Sequence, residues 1–233
     1  MIREVLNVLR TQSRALPLPR SNPSNAWACL RTIDAFGVDG VHVCKDTLAA
    51  AASRAAARGQ KVSEPQRHRY RKMTSAMGAQ KWLSLREHET SRDMVDHLHG
   101  LGYAVAATDL GPGALDVSNV DWTERRYAIV FGNEEVGISD DMRRLADLRV
   151  KLPMKGLAES LNLSVSVGAS LAHLSACDAL EPDMDDASKN KLLLKWYMLS
   201  VKAAHPLLRR NGVVLEDADL LRKKSTVLGF STT

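Results

Sequence analysis

Short apolar segments alternate with longer amphipathic segments along most of the chain. The short runs lack polar alternation, as is typical of strands buried on both faces, while the longer segments repeat apolar residues near the helical period. The predicted strands are 38–44, 82–85, 103–108, 126–131 and 148–152. The predicted helices are 2–16, 26–36 (with Asn25 as N-cap), 49–58, 71–77, 91–101, 139–145 and 160–176. This alternation predicts the α/β class, with a mainly parallel sheet flanked by helices.

The chain divides into three predicted parts. Strands stop near residue 180, and the segment that follows has a helical stripe around Leu192, Trp196 and Leu199. We therefore predict a central domain over residues 21–179, with helical extensions over 1–20 and 180–233.

Positive charge is concentrated in the N-terminal third. Residues 1–80 hold 13 Lys and Arg against 5 Asp and Glu, while the whole chain has a net charge of only +5, so the remainder is net negative. Segregated positive charge attracts phosphate backbones by Coulomb steering and counterion release. A solvated helical face explains the same pattern equally well, so charge alone leaves both readings open. The candidates for contacts with nucleic-acid phosphates are Arg54, Arg58, Arg67, Arg69, Arg71 and Lys72.

The composition excludes several classes of protein. With 45% hydrophobic and 25% charged residues, the chain is typical of globular proteins. No apolar run approaches the roughly 18 residues that span a bilayer, so we expect no membrane insertion and a cytoplasmic location. The arginine-rich N-terminus could also serve as a short organelle-targeting sequence, so location in an organelle stays possible on the sequence. Cys29, Cys44 and Cys177 are expected to be buried reduced thiols, and no His or Cys pair has metal-ligand spacing, so we expect no metal site.

Three loops are candidates for ligand binding. They follow Thr108, Phe131 and Leu152, each at the carboxyl end of a predicted strand, where open α/β sheets bind ligands. None of them matches G-x-G-x-x-G or G-x-x-x-x-G-K-[ST], which argues against the common dinucleotide and P-loop sites. The third loop leads through Ser160 and Asn162 into a helix of small residues.

Three segments together resemble a known family. NPSNAWACLRTIDAFGVDGVHV, YAIVFGNEEVGIS and LPMKGLAESLNLSVSVGASL are similar, in order and spacing, to the three motifs of the SpoU family of RNA ribose 2′-O-methyltransferases, within the SPOUT class. RKMTSAMGAQKWLSLREHET and GYAVAATDL resemble the TrmH subgroup, which methylates a guanosine in the tRNA D-loop. The resemblance covers about residues 21–174. It implies a C-terminal trefoil knot, S-adenosylmethionine as methyl donor, tRNA as partner and a homodimer with a site shared by two subunits.

The resemblance also implies site residues. The family's catalytic arginine corresponds to Arg31, six residues after the motif asparagine. The implied catalytic set is Arg31, Asn25, Glu134, Ser160 and Asn162. The implied cofactor contacts, largely through backbone atoms, are Thr108, Gly132, Leu152, Met154 and Leu161.

Two other functions stay open on the sequence. The same motifs serve enzymes that methylate ribosomal RNA, and a non-catalytic RNA-binding protein could retain the fold. Arg31, Glu134 and Ser160 argue against the second alternative, because a protein that only binds RNA does not need them.

Overall fold

The computed structural model describes residues 14–15, 23–44, 83–132, 137–181, 184–201 and 203–213. In chain order its elements are β1 (Arg14–Ala15), α1 (Pro23–Ala35), β2 (Gly40–Cys44), β3 (Ser84–His88), α2 (Ser91–Gly100), β4 (Ala104–Thr108), β5 (Leu115–Asp116), a 3₁₀ turn (Val117–Asn119), β6 (Tyr127–Val130), α3 (Asp140–Leu145), β7 (Leu148–Lys151), α4 (Leu163–Ala176), α5 (Asp186–Ser200) and α6 (Ala204–Arg210). None of the helices described there is long and apolar enough to cross a membrane.

All strand pairings in the described residues are parallel, which confirms the predicted α/β class. One sheet has the order β1-β2-β3 and the other the order β5-β7-β4-β6. Strand β1 also lies against β6, so the two sheets adjoin. In β4, Ala106 pairs with Ile129 of β6 on one side and with Leu148 of β7 on the other. Strand β4 is therefore the centre of the larger sheet.

Helices cover both faces of this sheet because its central strand is apolar on both sides. Ala104 and Ala106 belong to the cluster formed with α1 and α4, whereas Val105 and Ala107 pack with α2 and α3. All four side chains are buried. The result is three layers, helix on sheet on helix.

Helix α1 packs against α4. A Cβ at Gly168 of α4 would lie 3.7 Å from Cγ2 of Thr32 on α1, which is ordinary van der Waals contact. Buried residues of α1 recur at Ala26, Leu30 and Ile33, the spacing of one helical face. The helix predicted over this segment is confirmed.

Some predicted boundaries are wrong. Helix α1 begins at Pro23, so Asn25 lies inside its first turn and is not its N-cap. Helix α4 begins at Leu163 and not at Ser160, because Asn162 provides the cap. Strand β5 has two residues and was not predicted. The thiol of Cys177 is exposed, contrary to expectation, while Cys29 and Cys44 are buried.

The N-terminal extension differs from its prediction where it is described. Arg14 and Ala15 form a strand that pairs with Val41 and His42 of β2, so the helix predicted over 2–16 is wrong at these two residues. The rest of that helix, and the helices predicted over 49–58 and 71–77, lie outside the described residues. Helices α5 and α6 confirm the helical character of the C-terminal extension. The domain boundaries and the trefoil knot stay predictions.

Three histidines meet between β2, β3 and α2. The Nδ1 atom of His42 lies 2.8 Å from Nε2 of His88 in a hydrogen bond, and the two rings are stacked. The ring of His97 lies 5.5 Å from that of His42. Burial, together with neighbouring histidines and Arg86, lowers the pKa of His42 to about 3 and that of His88 to about 4. At His88, the carboxylate of Asp93 partly opposes this shift. The cluster is therefore neutral at physiological pH.

These histidines predict a pH-dependent stability. Because the folded-state pKa values lie below the ordinary value of 6.5, the unfolded chain binds more protons between about pH 4 and pH 6.5. We expect the free energy of unfolding to be highest above that range and to fall as the pH drops from about 7 to about 5, by up to about 1.4 kcal/mol per pH unit for His42. Chemical denaturation at several pH values measures this slope.

The matched variants are His42→Gln and His205→Gln. The first removes a buried imidazole of the cluster and should flatten the slope, whereas the second, on α6, should leave it unchanged. An identical slope in His42→Gln and wild type would contradict the prediction.

Candidate cofactor and catalytic site

A cavity of about 250 Å³ lies at the carboxyl ends of β4, β6 and β7. Each of these strands leads directly into the cavity wall, since Thr108 ends β4, Phe131 follows β6 and Leu152 follows β7. The cavity is lined by Thr108, Asp109, Leu110, Phe131, Gly132, Gly137, Ile138, Val150, Lys151, Leu152, Met154, Ser160, Leu161, Leu163 and Ser166. The three loops singled out in the sequence therefore form one site.

The walls of the cavity suit a flat, mostly apolar group with polar edges. Phe131, Val150 and Leu163 are buried and give the cavity an apolar base. Loop backbone at Gly132, Gly137 and the segment after β7 supplies amide and carbonyl groups that do not depend on side-chain identity. Small-molecule sites combine such apolar walls with a few convergent polar groups. This set of groups fits the adenosine part of S-adenosylmethionine.

The five residues expected to contact the cofactor lie together. Thr108, Gly132, Leu152, Met154 and Leu161 all line the cavity, although they come from three separate loops. Their contact with the cofactor stays a prediction.

Ser160 and Asn162 take different positions at the mouth of the site. Ser160 lines the cavity, and its side chain is exposed. Asn162 caps α4. Its Oδ1 accepts two hydrogen bonds from Ser164, one from the backbone N at 2.9 Å and one from the Oγ at 2.7 Å. Its structural role is thus established by geometry, and a catalytic role would come in addition.

Arg31 and Asn25 lie on α1, apart from the cavity wall. Arg31 is exposed and sits beside Thr32, the residue that packs on Gly168 of α4. Within the part of the chain that the structure describes, the cavity wall does not include Arg31 or Asn25. Glu134 and the six residues expected to contact RNA lie outside the described residues.

The structure adds a polar cluster that sequence reasoning missed. The carboxylate of Asp109, whose side chain is only 8% exposed, accepts hydrogen bonds from Arg143 on α3 and Arg149 on β7. Burial raises the pKa of Asp109, but the hydrogen bonds from Arg143, the Gly111 amide and Arg149 outweigh it and lower that pKa overall. The one sequence signal was the position of Asp109 directly after a buried strand. Among the described residues, no group of three or more His, Cys, Asp or Glu could hold a metal ion.

The position of Gly132 has no room for a side chain. A Cβ at this position would lie 2.6 Å from the backbone N of Ile138 and 2.8 Å from Cα of Gly137, too close for any side chain. We expect Gly132→Ala to separate these two cavity walls, and so to weaken binding of S-adenosylmethionine by about tenfold or more and to lower the melting temperature. Isothermal titration and thermal unfolding measure the two effects.

Gly156→Ala is the matched control for this substitution. Gly156 lies on the loop after β7, and nothing stands within 4 Å of its Cβ position. We expect this variant to bind and unfold like the wild type. Wild-type affinity in Gly132→Ala would show that the close approach does not shape the site.

Comparison with known proteins identifies the family. The model of the SpoU rRNA Methylase family matches residues 19–172. A tRNA (guanosine(18)-2′-O)-methyltransferase from Borreliella burgdorferi is 30% identical over 208 residues, which cover 86% of this chain and 84% of the relative. The enzyme of the same name from Thermus thermophilus is 30% identical, with coverage of 83% and 94%.

A solved structure supports the fold. The TrmH/SpoU tRNA modifying enzyme of A. aeolicus superposes with a TM-score of 0.64 at 24% identity, covering 86% of this chain and 97% of that chain. The family match spans the three loops around the cavity, helix α1 and all but the last four residues of α4. The chain belongs to the SpoU rRNA methylase family.

Proposed function

We propose that this protein transfers a methyl group from S-adenosylmethionine to the ribose 2′-OH of a guanosine in the tRNA D-loop. The observation that carries the proposal is the cavity, where all five positions that the family motifs assign to the cofactor converge. The relatives that share most of the chain's length are named for guanosine 18 of tRNA, which we take as the target.

The cofactor supplies an electrophilic methyl group on a sulfonium, so the reaction needs no metal. The apolar base around Phe131 and Val150 would hold the adenosine, and the backbone at Gly132 and Leu152 would hydrogen-bond its polar edge. The protein must then place the 2′-OH in line with the methyl group and assist loss of the hydroxyl proton.

Arg31 is the residue we assign to the substrate side of this reaction. A guanidinium stays protonated in proteins, so we assign it to clamping an RNA phosphate or polarising the 2′-OH rather than to acting as a base. Asn25 and Ser160, together with Asn162, would hold the geometry around it. Glu134 would either order its loop or take part directly.

A homodimer would explain why Arg31 does not line the cavity of the subunit to which it belongs. Arg31 is exposed, and apolar side chains next to the cavity are exposed as well, with Leu161 at 38% and Val165 at 52%. A second copy that covers this surface would bury these side chains and bring its own Arg31 to the cavity. We propose that each site combines the cofactor cavity of one subunit with the Arg31 of the other.

The basic N-terminal third would provide the surface for tRNA. Its excess of positive charge predicts that RNA binding weakens steeply as the salt concentration rises. The proposed phosphate contacts are Arg54, Arg58, Arg67, Arg69, Arg71 and Lys72. This activity belongs in the cytoplasm or in an organelle that holds tRNA.

Ribosomal RNA is the second candidate substrate, because the matching family model is described by an rRNA activity. Incubation of total tRNA and rRNA with the protein and tritiated S-adenosylmethionine, followed by mapping of 2′-O-methyl groups, distinguishes the two. We expect label at the D-loop guanosine of tRNA. Label confined to rRNA would overturn the tRNA assignment, and absence of label with intact cofactor binding would favour a non-catalytic RNA-binding protein.

Replacement of Arg31 tests the catalytic assignment. We expect Arg31→Ala to lose about 100-fold or more in turnover, because a charged contact to the reacting group is removed, while the Kd for the cofactor stays within about twofold. The exposed Arg92 on α2 gives the control variant Arg92→Ala, which should methylate at the wild-type rate. Wild-type turnover in Arg31→Ala would refute its role.

Mixed dimers test the shared site. Met154 lines the cavity from a loop, so Met154→Trp should block cofactor binding without disturbing the core. If Arg31 acts across the dimer, refolded mixtures of Arg31→Ala and Met154→Trp should recover about a quarter of wild-type activity, since half the dimers hold one intact site. Recovery should be absent if each chain uses its own Arg31.

A further inference from the structure

The carboxylate of Asp109 is saturated by donors from the protein itself. Its Oδ2 accepts from Arg143 Nε at 3.1 Å and from Arg149 Nη1 at 2.9 Å. Its Oδ1 accepts from the Gly111 amide at 3.2 Å and from Arg143 Nη2 at 3.5 Å. A carboxylate offers about four lone-pair sites, so Asp109 has no free site left for a ligand although it lines the cavity.

These hydrogen bonds join the three segments that form the cavity wall. Asp109 follows β4, Arg149 lies on β7, and Arg143 lies on α3, the helix that follows Ile138. The backbone N of Asp109 also donates to the carbonyl of Val150 at 2.9 Å. Thr108, Ile138 and Val150 in the cavity wall are thus held relative to one another through one carboxylate.

The same cluster fixes the loop after β4. The Gly111 amide is held by Asp109, and Arg149 Nη2 donates to the Pro112 carbonyl at 2.8 Å. Gly113 has a φ of +85°, and a Cβ there would lie 3.0 Å from Arg149 Nη2, so the loop and the guanidinium fit closely. Arg149 therefore helps to hold the loop in this conformation.

We propose that Asp109 is a positioning residue for the cofactor: through Arg143 and Arg149 it holds the loop after β4, α3 and β7 in the arrangement that forms the cavity. It touches neither the reacting atoms nor the RNA. The inference rests on the proposed cofactor site. It assigns to Asp109 an effect on cofactor affinity that is separate from RNA binding and from turnover at saturating cofactor.

Asp109→Asn tests this inference. The amide has the same shape, but its NH₂ group is a donor and cannot accept a hydrogen bond from any arginine N–H that it faces. We expect the Kd for S-adenosylmethionine, measured by isothermal titration, to rise about tenfold or more, because hydrogen bonds to a charged group are lost. The KM for tRNA should stay within about twofold, and kcat at saturating cofactor should stay near the wild-type value.

Asp147→Asn is the matched control. Asp147 precedes β7 and binds the amino-terminal part of β4, whereas Asp109 follows the carboxyl end of β4. The Oδ2 atom of Asp147 accepts from the backbone N of Val105 at 2.6 Å and from His99 Nε2 at 2.8 Å, away from the cavity. This variant also loses a carboxylate that holds β4, so it should lower the melting temperature without changing the cofactor Kd. If the Kd for the cofactor rose equally in Asp109→Asn and Asp147→Asn, the effect of Asp109 would come from a general loss of stability. That result would overturn the inference.

Arg149→Gln tests the same inference from the other partner of the ion pair. It should disturb the core less than Asp109→Asn, because the Arg149 side chain is 28% exposed and that of Asp109 only 8%. We expect it to raise the cofactor Kd as well, and we expect the double variant with Asp109→Asn to be no weaker than the weaker single variant. Additive effects would overturn the coupling. If the wild type binds cofactor and both single variants bind it equally well, the inference alone fails; if the wild type does not bind it, the proposed function fails too.

Discussion

Strands β4, β6 and β7 run in the same direction, so their carboxyl ends meet at one edge of the sheet. The central strand β4 is buried on both faces, and its alanines leave room for helices on either side. Helices on both faces leave this edge open, and the loops that leave the strands there form the cavity. The position of the site is therefore a consequence of the parallel pairing before any side chain in it is considered.

The cavity wall divides into parts with different physical requirements. Gly132 needs the absence of a side chain, because the chain returns against it at Gly137 and Ile138. Asp109 needs a charge, because two guanidinium groups converge on it. Arg31 lies outside this wall, exposed on α1, and its charge would act on what approaches that surface. Substitutions at Gly132 and Asp109 should therefore affect cofactor affinity, whereas substitutions at Arg31 should affect turnover.

The sequence predicted those parts of the molecule that depend on local pattern. The continuous apolar runs identified β4 and β6, and the ordered motifs identified the loops at Gly132 and Leu152. Capping was harder to place: α4 begins at Leu163 with Asn162 as its cap. Ser160, Asn162 and Ser164 occupy alternate positions and offer several equivalent caps. Strand β5 was missed because two residues do not form a pattern.

Contacts between distant residues could not be predicted in this way. Asp109 meets Arg143 and Arg149 across 34 and 40 residues, and His42 meets His88 across 46. No spacing rule joins such residues, because their meeting depends on strand order and register. Arg31 was assigned through family resemblance alone, and its action beside the cavity of a second subunit is a proposal.

The C-terminal extension has a small apolar cluster of its own. Met184, Leu192 and Trp196 pack together, separate from the two clusters on the sheet. Burial of one such side chain contributes only about 1.5–3 kcal/mol, so this cluster by itself stabilises α5 far less than the two larger clusters stabilise the sheet. We therefore expect local unfolding to begin in α5 and α6, with fast amide exchange there while β4 remains protected. Substitutions in this small cluster should then cost the central sheet little stability.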